Sequence, residues 1–317
     1  MASVQTDASS VLAEAAQALA AAGIDEPTLE AERLLEHVTG IPFLRRRIGM
    51  AQEPPAGEIA RFHDLVKKRA QRIPLQHLLG TAPFLQLTLH VSRHVLVPRP
   101  ETEQLALLAQ KTLVDIPRAR VADLGTGSGC LALHLASVHP NAQIHAFDLS
   151  PEALDVARTN ATHLGLLDRV TFHLQDAFSP SADLTAHAPF DLIVTNPPYI
   201  PDAEIPSLMP EVRDHDPLLA LAGGPDGLAP YRTLAHRAYR WLQPSGWLLA
   251  EFGDGQAPEL ARIFQTPAWG HISFEKDLSG RDRILIVRPS RIEAPVNPLR
   301  PDRDDVPDRS HHGQFPD

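Results

Sequence analysis

Four consecutive residues, Asn196-Pro197-Pro198-Tyr199, close the apolar run Phe190–Thr195 within the stretch VTNPPYIPD. Neither proline carries a backbone N–H, both fix φ, and the first pushes Asn196 toward an extended conformation. The segment is therefore a stiff protrusion that can continue neither a helix nor a sheet. Pro-Pro alone would describe a rigid loop leaving a strand; the amide of Asn196 and the ring of Tyr199 beside it make the protrusion a candidate site.

A second group stands upstream, in VADLGTGSGCLALHLA, Val121 to Ala136. Gly125, Gly127 and Gly129 recur at every second position, so the backbone can turn sharply and approach a ligand closely before a helix starts. Thr126 and Ser128 complete the loop. The spacing is GxGxG, not the GxGxxG of dinucleotide-binding folds. One predicted strand later comes Asp148, whose carboxylate can accept from both hydroxyls of a ribose; one strand after that comes Asp176, which can accept from an adenine amino group while Ala177 and Phe178 cover the ring. Asp123, just before the loop, can face a cationic amino group. A ligand with a ribose, an adenine and an ammonium but no phosphate matches this set. The plainer alternatives are tight strand-to-helix packing for the glycines, a helix N-cap for Asp148 (with Ser150 an equal candidate), and a solvated loop for Asp176. Cys130 reads as a small buried residue beside the loop, and Glu251 falls on the same ligand edge without a defined role.

The elements that must position these residues are legible from periodicity. From Ser9 to Arg72 the pattern is helical: SSVLAEAAQALAAAG ends at Gly23, DEPTLEAERLLEHVTG starts at Asp25 and Pro27 and stops at Gly40, and PAGEIARFHDLVKKRAQR puts Ile59, Phe62, Leu65 and Val66 on one face. FLQLTLHVSRHVLVPRP then alternates apolar and polar residues, which predicts a β-hairpin turning at Ser92-Arg93. Beyond Glu101 strands and helices alternate. Strands are expected at Val121–Leu124, Gln143–Phe147, Val170–Leu174, Phe190–Thr195, Gly246–Phe252, His271–Glu275 and Arg283–Val287. Helices between the first five imply a parallel, doubly wound sheet, and the short link KDLSGRD makes the last two an antiparallel pair. The domain plan is 1–77 helical, 78–100 hairpin linker, 101–288 α/β domain, and 289–317 a tail rich in Pro, Arg and Asp that composition marks as disordered.

Composition narrows the functional classes. The 317 residues carry a formal net charge of −10, which disfavours gripping long nucleic acid over the whole surface. Arg45-Arg46-Arg47 and Lys67-Lys68-Arg69 are the dense basic runs, and solvated faces are the simplest account of them. No apolar run is long enough to cross a bilayer, the N-terminus lacks signal-peptide features, and one cysteine among 317 residues fits a reducing compartment; a cytoplasmic protein is expected, with no membrane contact. The 16 histidines show no metal-ligand spacing, so no metal is expected.

VLVPRPETE (Val95–Glu103), DLGTGSGCLAL (Asp123–Leu133), FDLIVTNPPYI (Phe190–Ile200), ALAGGPDGLAPYR (Ala220–Arg232) and DLSGRDRI (Asp277–Ile284) together resemble the bacterial release factor glutamine methyltransferases, the HemK/PrmC family. Similarity in order and spacing runs from about Leu78 to Val287. The resemblance implies a class I, Rossmann-like methyltransferase fold, S-adenosylmethionine as donor, and methylation of the glutamine in the Gly-Gly-Gln loop of peptide chain release factors. It places Asn196, Pro197, Pro198 and Tyr199 at the substrate amide, with Gly125 to Gly129 and Asp148 at the cofactor and the PRPETE segment near the substrate entrance. Two slots depart from the family: Ala177 stands where an aromatic is common, and His215-Asp216-Pro217 replaces Glu-Pro. The Asn196 side-chain oxygen and the Pro197 carbonyl can take both N–H bonds of an amide, and Tyr199 can pack on its flat face. In PRPETE, a cap on the following helix is the alternative role for Thr102. Two rival readings use the same acceptors: an exocyclic amine of a nucleic-acid base, and a glutamine of a large-subunit ribosomal protein.

Overall fold

A computed structural model describes residues 8–48 and 54–290. The expected tail therefore lies outside the described residues, except that Pro289 ends the last strand and Ser290 follows it.

The N-terminal part is helical, as the periodicity predicts. Helices Ala8–Ala21, Pro27–Thr39 and Ala56–Ala70 each present apolar residues about one turn apart: Val11, Ala15 and Leu19 on the first, Ala31, Leu34, Leu35 and Val38 on the second, Phe62 and Val66 on the third. These close into one core with Leu75. Gly40 ends the second helix at φ +64°, and its N–H bonds the carbonyl of Glu36, a left-handed cap that a side chain would strain.

A hairpin follows, β1 (Thr81–Phe84) with β2 (Leu87–His90), paired from Thr81 opposite His90 to Phe84 opposite Leu87. Its turn is at Leu85-Gln86, not at Ser92-Arg93 as the sequence suggests. Leu85 takes φ +50°, and its N–H donates to Glu103 Oε1 at 2.7 Å. The reason for the mismatch is physical: Leu85-Gln86 has no turn chemistry of its own, and a carboxylate from the helix Pro100–Thr112 stabilises the conformation from outside. Ser92 makes the next turn, its carbonyl accepting from Val95 N–H.

The remaining strands are β3 (Arg120–Leu124), β4 (Gln143–Asp148), β5 (Val170–Leu174), β6 (Phe190–Thr195), β7 (Leu242–Glu251), β8 (Trp269–Lys276) and β9 (Asp282–Pro289). They form one seven-stranded sheet in the order β5-β4-β3-β6-β7-β9-β8. Pairs among β3 to β7 are parallel; β9 runs antiparallel between β7 and β8. β8 and β9 are the expected antiparallel pair, and β9 inserts beside β7, leaving β8 at the edge. Helices Pro100–Thr112, Cys130–Val138 and Pro151–His163 cover one face through Leu105, Leu131, Leu135 and Ala161. Ala229–Arg237 and Ala257–Phe264 cover the other through Tyr231, Leu234, Leu260 and Phe264. Because β4 and β6 flank β3 while their crossovers lie on opposite faces, the carboxyl ends of β3 and β6 open a crevice, the place where such sheets take ligands.

Candidate active site

The glycine loop leaves β3 into that crevice. Gly125, Gly127 and Gly129 have φ of +71°, +54° and +83°. At Gly125 a Cβ would also approach the Phe178 ring at 3.2 Å, so the conformation favours glycine there and the space is tight. The loop is anchored from β4, with the Phe147 carbonyl accepting from Gly125 and Thr126 N–H, both at 2.9 Å.

Asp123 lies beneath the loop. It is fully buried, its Oδ2 accepts from the Thr126 hydroxyl at 2.7 Å and Ala132 N–H at 3.1 Å, and its Oδ1 has no partner among the described residues. Burial raises its pKa to about 7. Asp148 accepts Gly127 N–H on Oδ2 and Ser150 N–H on Oδ1, each at 2.9 Å, while Ser150 accepts from Ala153 N–H and is thus the helix cap. Asp176 is not a freely solvated loop residue: its Oδ1 takes the N–H groups of Phe178 at 2.9 Å and Ser179 at 3.0 Å, turning the chain so that Phe178 reaches Gly125.

These groups border a cavity of about 630 Å³. Of the residues singled out in the sequence, Gly125, Thr126, Gly127, Ser128, Asp148, Asp176, Ala177, Asn196 and Pro198 line it. Asp123, Gly129, Pro197 and Tyr199 adjoin it through their bonded neighbours Thr126, Ser128, Asn196 and Pro198, which line it. Phe178 supplies the aromatic surface that Ala177 lacks.

At Asn196 the geometry is more specific than the motif. Asn196 Nδ2 donates to Thr102 Oγ1 at 3.1 Å, and that hydroxyl donates to Glu251 Oε2 at 2.7 Å. A hydroxyl whose proton is committed to a carboxylate offers only lone pairs to its other neighbour, so the NH₂ end of Asn196 faces Thr102 and Oδ1 is left free for the cavity. Thr102 is consequently not a helix cap; its helix starts at Pro100 with Arg99 at the cap position. Glu251, at the end of β7, is 1% exposed, and burial pushes its pKa up to about 7. Tyr199 packs against the apolar layer and points its hydroxyl toward Glu251 Oε1 at 3.4 Å. The sequence places Glu251 on the ligand edge and offers Thr102 as a helix cap, but the hydrogen bonds that join both to Asn196 are not legible in spacing.

The glycine-rich stretch Gly223-Gly224-Pro225-Asp226-Gly227 is the bed of this loop. A Cβ on Gly223 would come within 2.8 Å of the Pro198 carbonyl oxygen, and one on Gly227 would collide with the Tyr199 carbonyl oxygen. Ile200 exchanges backbone hydrogen bonds with Leu221 and Gly223, and Gln256 Nε2 donates to the Tyr199 carbonyl at 3.0 Å. The prolines thus stiffen the strand exit, and the glycines let a second strand of chain press flat against it.

Residues near the cavity mouth tie this region to the helical part. Arg99 pairs with Asp216 at 2.7 Å; burial raises Asp216 to about 6. Arg69 is 5% exposed and bridges Glu30 on the second helix to Glu211, which also pairs with Arg72 at 2.7 Å. Arg69, read in the sequence as part of a solvated basic face, is instead the buried centre of an ion network.

Comparison with known proteins agrees with this architecture. Residues 10–80 match the family model described as PrmC N-terminal domain, and residues 117–261 match that of a methyltransferase domain. The release factor glutamine methyltransferase of Deinococcus radiodurans is 42% identical over 88% of this chain and 97% of its own. That of Caulobacter vibrioides is 38% identical over 87% and 94%. A crystal structure of the hMettl16 catalytic domain in complex with an RNA hairpin shares the fold at TM-score 0.51 and 16% identity, covering 71% of this chain and 82% of that one.

Proposed function

Because the chain belongs to the release factor glutamine methyltransferase family, we propose that the cavity under its glycine loop holds S-adenosylmethionine and that Asn196 receives the substrate amide there. The protein is an S-adenosylmethionine-dependent methyltransferase that modifies a glutamine side-chain amide of peptide chain release factors. In our reading that glutamine is the one in the Gly-Gly-Gln loop.

The residues fit the donor. Asp148 stands in the wall where a ribose diol would donate, and Phe178 with Ala177 forms an apolar surface beside Asp176 for an adenine. The unpartnered Oδ1 of Asp123 is a buried acceptor directly below the loop, suited to the ammonium end. When bound, S-adenosylmethionine supplies an electrophilic methyl on a sulfonium.

The chain's own task is to make an amide nitrogen attack. That nitrogen is a weak nucleophile because its lone pair is delocalised into the carbonyl. Asn196 Oδ1 accepts one N–H, the Pro197 carbonyl accepts the other, and the remaining lobe of the nitrogen is directed at the methyl group. The same acceptors would stabilise positive charge developing on the nitrogen, and one of the two N–H protons they hold would be released to water as the nitrogen takes up the methyl group. No strong base is needed beforehand. The observation that carries this reading is the fixed orientation of Asn196, through Thr102 to Glu251, at the wall of the glycine-loop cavity.

The helical part, 1–77, is assigned to orienting the protein substrate against the cleft, with the network around Arg69 transmitting its position. Among the described residues no helix is long and apolar enough to cross a membrane, and the cytoplasm, where release factors act, is the assigned compartment. The test is to incubate the protein with S-adenosylmethionine and a full-length release factor and locate the added methyl by fragment mass spectrometry. One methyl on the Gly-Gly-Gln glutamine, absent with Asn196→Ala, is expected. An unmodified glutamine despite bound cofactor would overturn the assignment and favour the ribosomal-protein or nucleic-acid amine as substrate.

A further inference from the structure

Three histidines that the methyl-transfer chemistry does not use converge at the side of the sheet away from β7. His145 stands on β4, His173 on β5, and His187 in the segment leading into β6. One ring nitrogen from each lies within 4.8 Å of the other two. His145 Nδ1 and His173 Nε2 are 3.1 Å apart, a contact that requires a proton on one and a lone pair on the other. The His173 and His187 ring centroids are 4.2 Å apart, and all three side chains are partly exposed, so an ion can reach them from solvent.

Packing explains part of this. His173 stacks on Phe147 at 4.5 Å, and any flat ring could do so. Packing does not require three ring nitrogens, from three separate segments, to lie within 4.8 Å of one another. A neutral imidazole offers one lone pair per ring to a metal ion. The opposing charge is Arg120, whose guanidinium donates to Gln143 Oε1 at 2.8 Å and to the His187 carbonyl at 2.6 Å, and so is held by partners of its own. A three-imidazole set selects against Ca²⁺ and Mg²⁺, which take oxygen, and suits Zn²⁺, Ni²⁺, Co²⁺ or Cu²⁺. Zn²⁺ holds nitrogen ligands at about 2.0–2.1 Å, so binding would draw together ring nitrogens that already lie within 4.8 Å of one another.

We propose that His145, His173 and His187 form a binding site for one transition-metal dication, with Zn²⁺ as the reference ion, separate from the methyl-transfer centre. None of the three lines the glycine-loop cavity. The ion would tie β4 and β5 to the end of the segment that begins at Asp176, whose first residues form the cavity wall. Its consequence is structural: the far end of that wall is clamped to the sheet.

The experiment uses the full-length chain, stripped with a chelator and dialysed, with Zn²⁺ alone as probe. Binding is measured by competition with a chromophoric chelator and by the thermal midpoint. One equivalent bound, with a midpoint raised by Zn²⁺, is expected for the unmodified chain and for a His311→Ala/His312→Ala variant, which removes the adjacent histidine pair near the C-terminus. His173→Ala and, separately, His187→Gln are each expected to weaken binding by more than about tenfold while still binding S-adenosylmethionine, which shows that they fold. Absence of a stoichiometric equivalent in the unmodified chain, its loss with the His311/His312 variant, or its survival in both His173→Ala and His187→Gln would overturn the proposal.

Discussion

Replacing Thr102 by valine keeps the side-chain shape and removes one hydroxyl, the atom through which Asn196 and Glu251 communicate. Two hydrogen bonds disappear, 3.1 Å from Asn196 Nδ2 and 2.7 Å to Glu251 Oε2. For turnover, the lost quantity is the preference of the Asn196 amide for presenting Oδ1, which in the native protein rests on the bond that Nδ2 makes to Thr102. A net hydrogen bond of about 1–2 kcal/mol converts to a fall in kcat of about 5- to 30-fold. The ceiling is set by deleting the acceptor itself, a loss of about 10²–10³. S-adenosylmethionine affinity should stay within about twofold, because the change acts on the orientation of Asn196 and leaves the glycine loop and Asp148 in place. The assay is single-turnover methylation of a release factor at saturating cofactor, alongside Thr102→Ser, which restores the hydroxyl and should restore most of the rate. A Thr102→Val kcat within about twofold of native, or a Thr102→Ser variant as slow as the valine, would refute the orienting role.

Further outcomes follow from the same geometry. Asn196→Ala should retain fold and cofactor binding and lose about 10²–10³ in turnover, read by the same methylation assay; normal turnover would remove Asn196 from the mechanism. Glu251 has its folded pKa raised from 4.5 to about 7 by burial, so its contribution to stability is full below pH 4.5 and lost as pH rises through about 7. The difference corresponds to about 3 kcal/mol, and Glu251→Gln should gain roughly that much on the native protein between pH 4.5 and pH 8, measured by urea unfolding at both. If the two proteins keep a constant stability gap across that range, the buried carboxyl is not the titrating group. Arg69→Met removes the partner of Glu30 and leaves Glu211 paired with Arg72 alone, and should cost about 3 kcal/mol in stability, with a raised KM for the release factor and an unchanged Kd for S-adenosylmethionine. A variant with native KM would detach the ion network from substrate docking.

The sheet was readable because its physics is local. Val121–Leu124 and Phe190–Thr195 are short apolar runs, each bounded by residues that cannot continue a strand, and helical patterns between the first five strands leave a parallel sheet as the economical solution. The position of β9 between β7 and β8 was not stated by any window of sequence; it is a choice among pairings that tertiary contact makes. The hairpin shows a sharper failure. Alternation from Thr81 to His90 continues past the true turn, so periodicity alone could not say where the chain reverses, and the residue that does, Leu85, is held at φ +50° by a carboxylate 18 positions away.

For the site, what was legible was what backbone geometry enforces. Glycines at φ near +70° and prolines without N–H groups are demanded by the chain's path, and such demands appear in the letters themselves. Orientation is different. The Asn196 amide could face either way on a rigid loop, and the choice is made by Thr102 on the helix after the hairpin and by Glu251 at the end of β7, residues 94 and 149 positions from Asn196 and Thr102 respectively along those two hydrogen bonds. Neither belongs to the four-residue motif that names the site. This also says how the acceptor could fail without any change in the motif: once Glu251 is protonated it can donate to Thr102, the hydroxyl can then donate to Asn196, and the arrangement that exposes Oδ1 is no longer the preferred one. An acid limb near pH 7 in the rate profile of the native enzyme, moved or abolished in Glu251→Gln, is the signature of that reversal; a profile identical in both would leave Glu251 a structural carboxyl only.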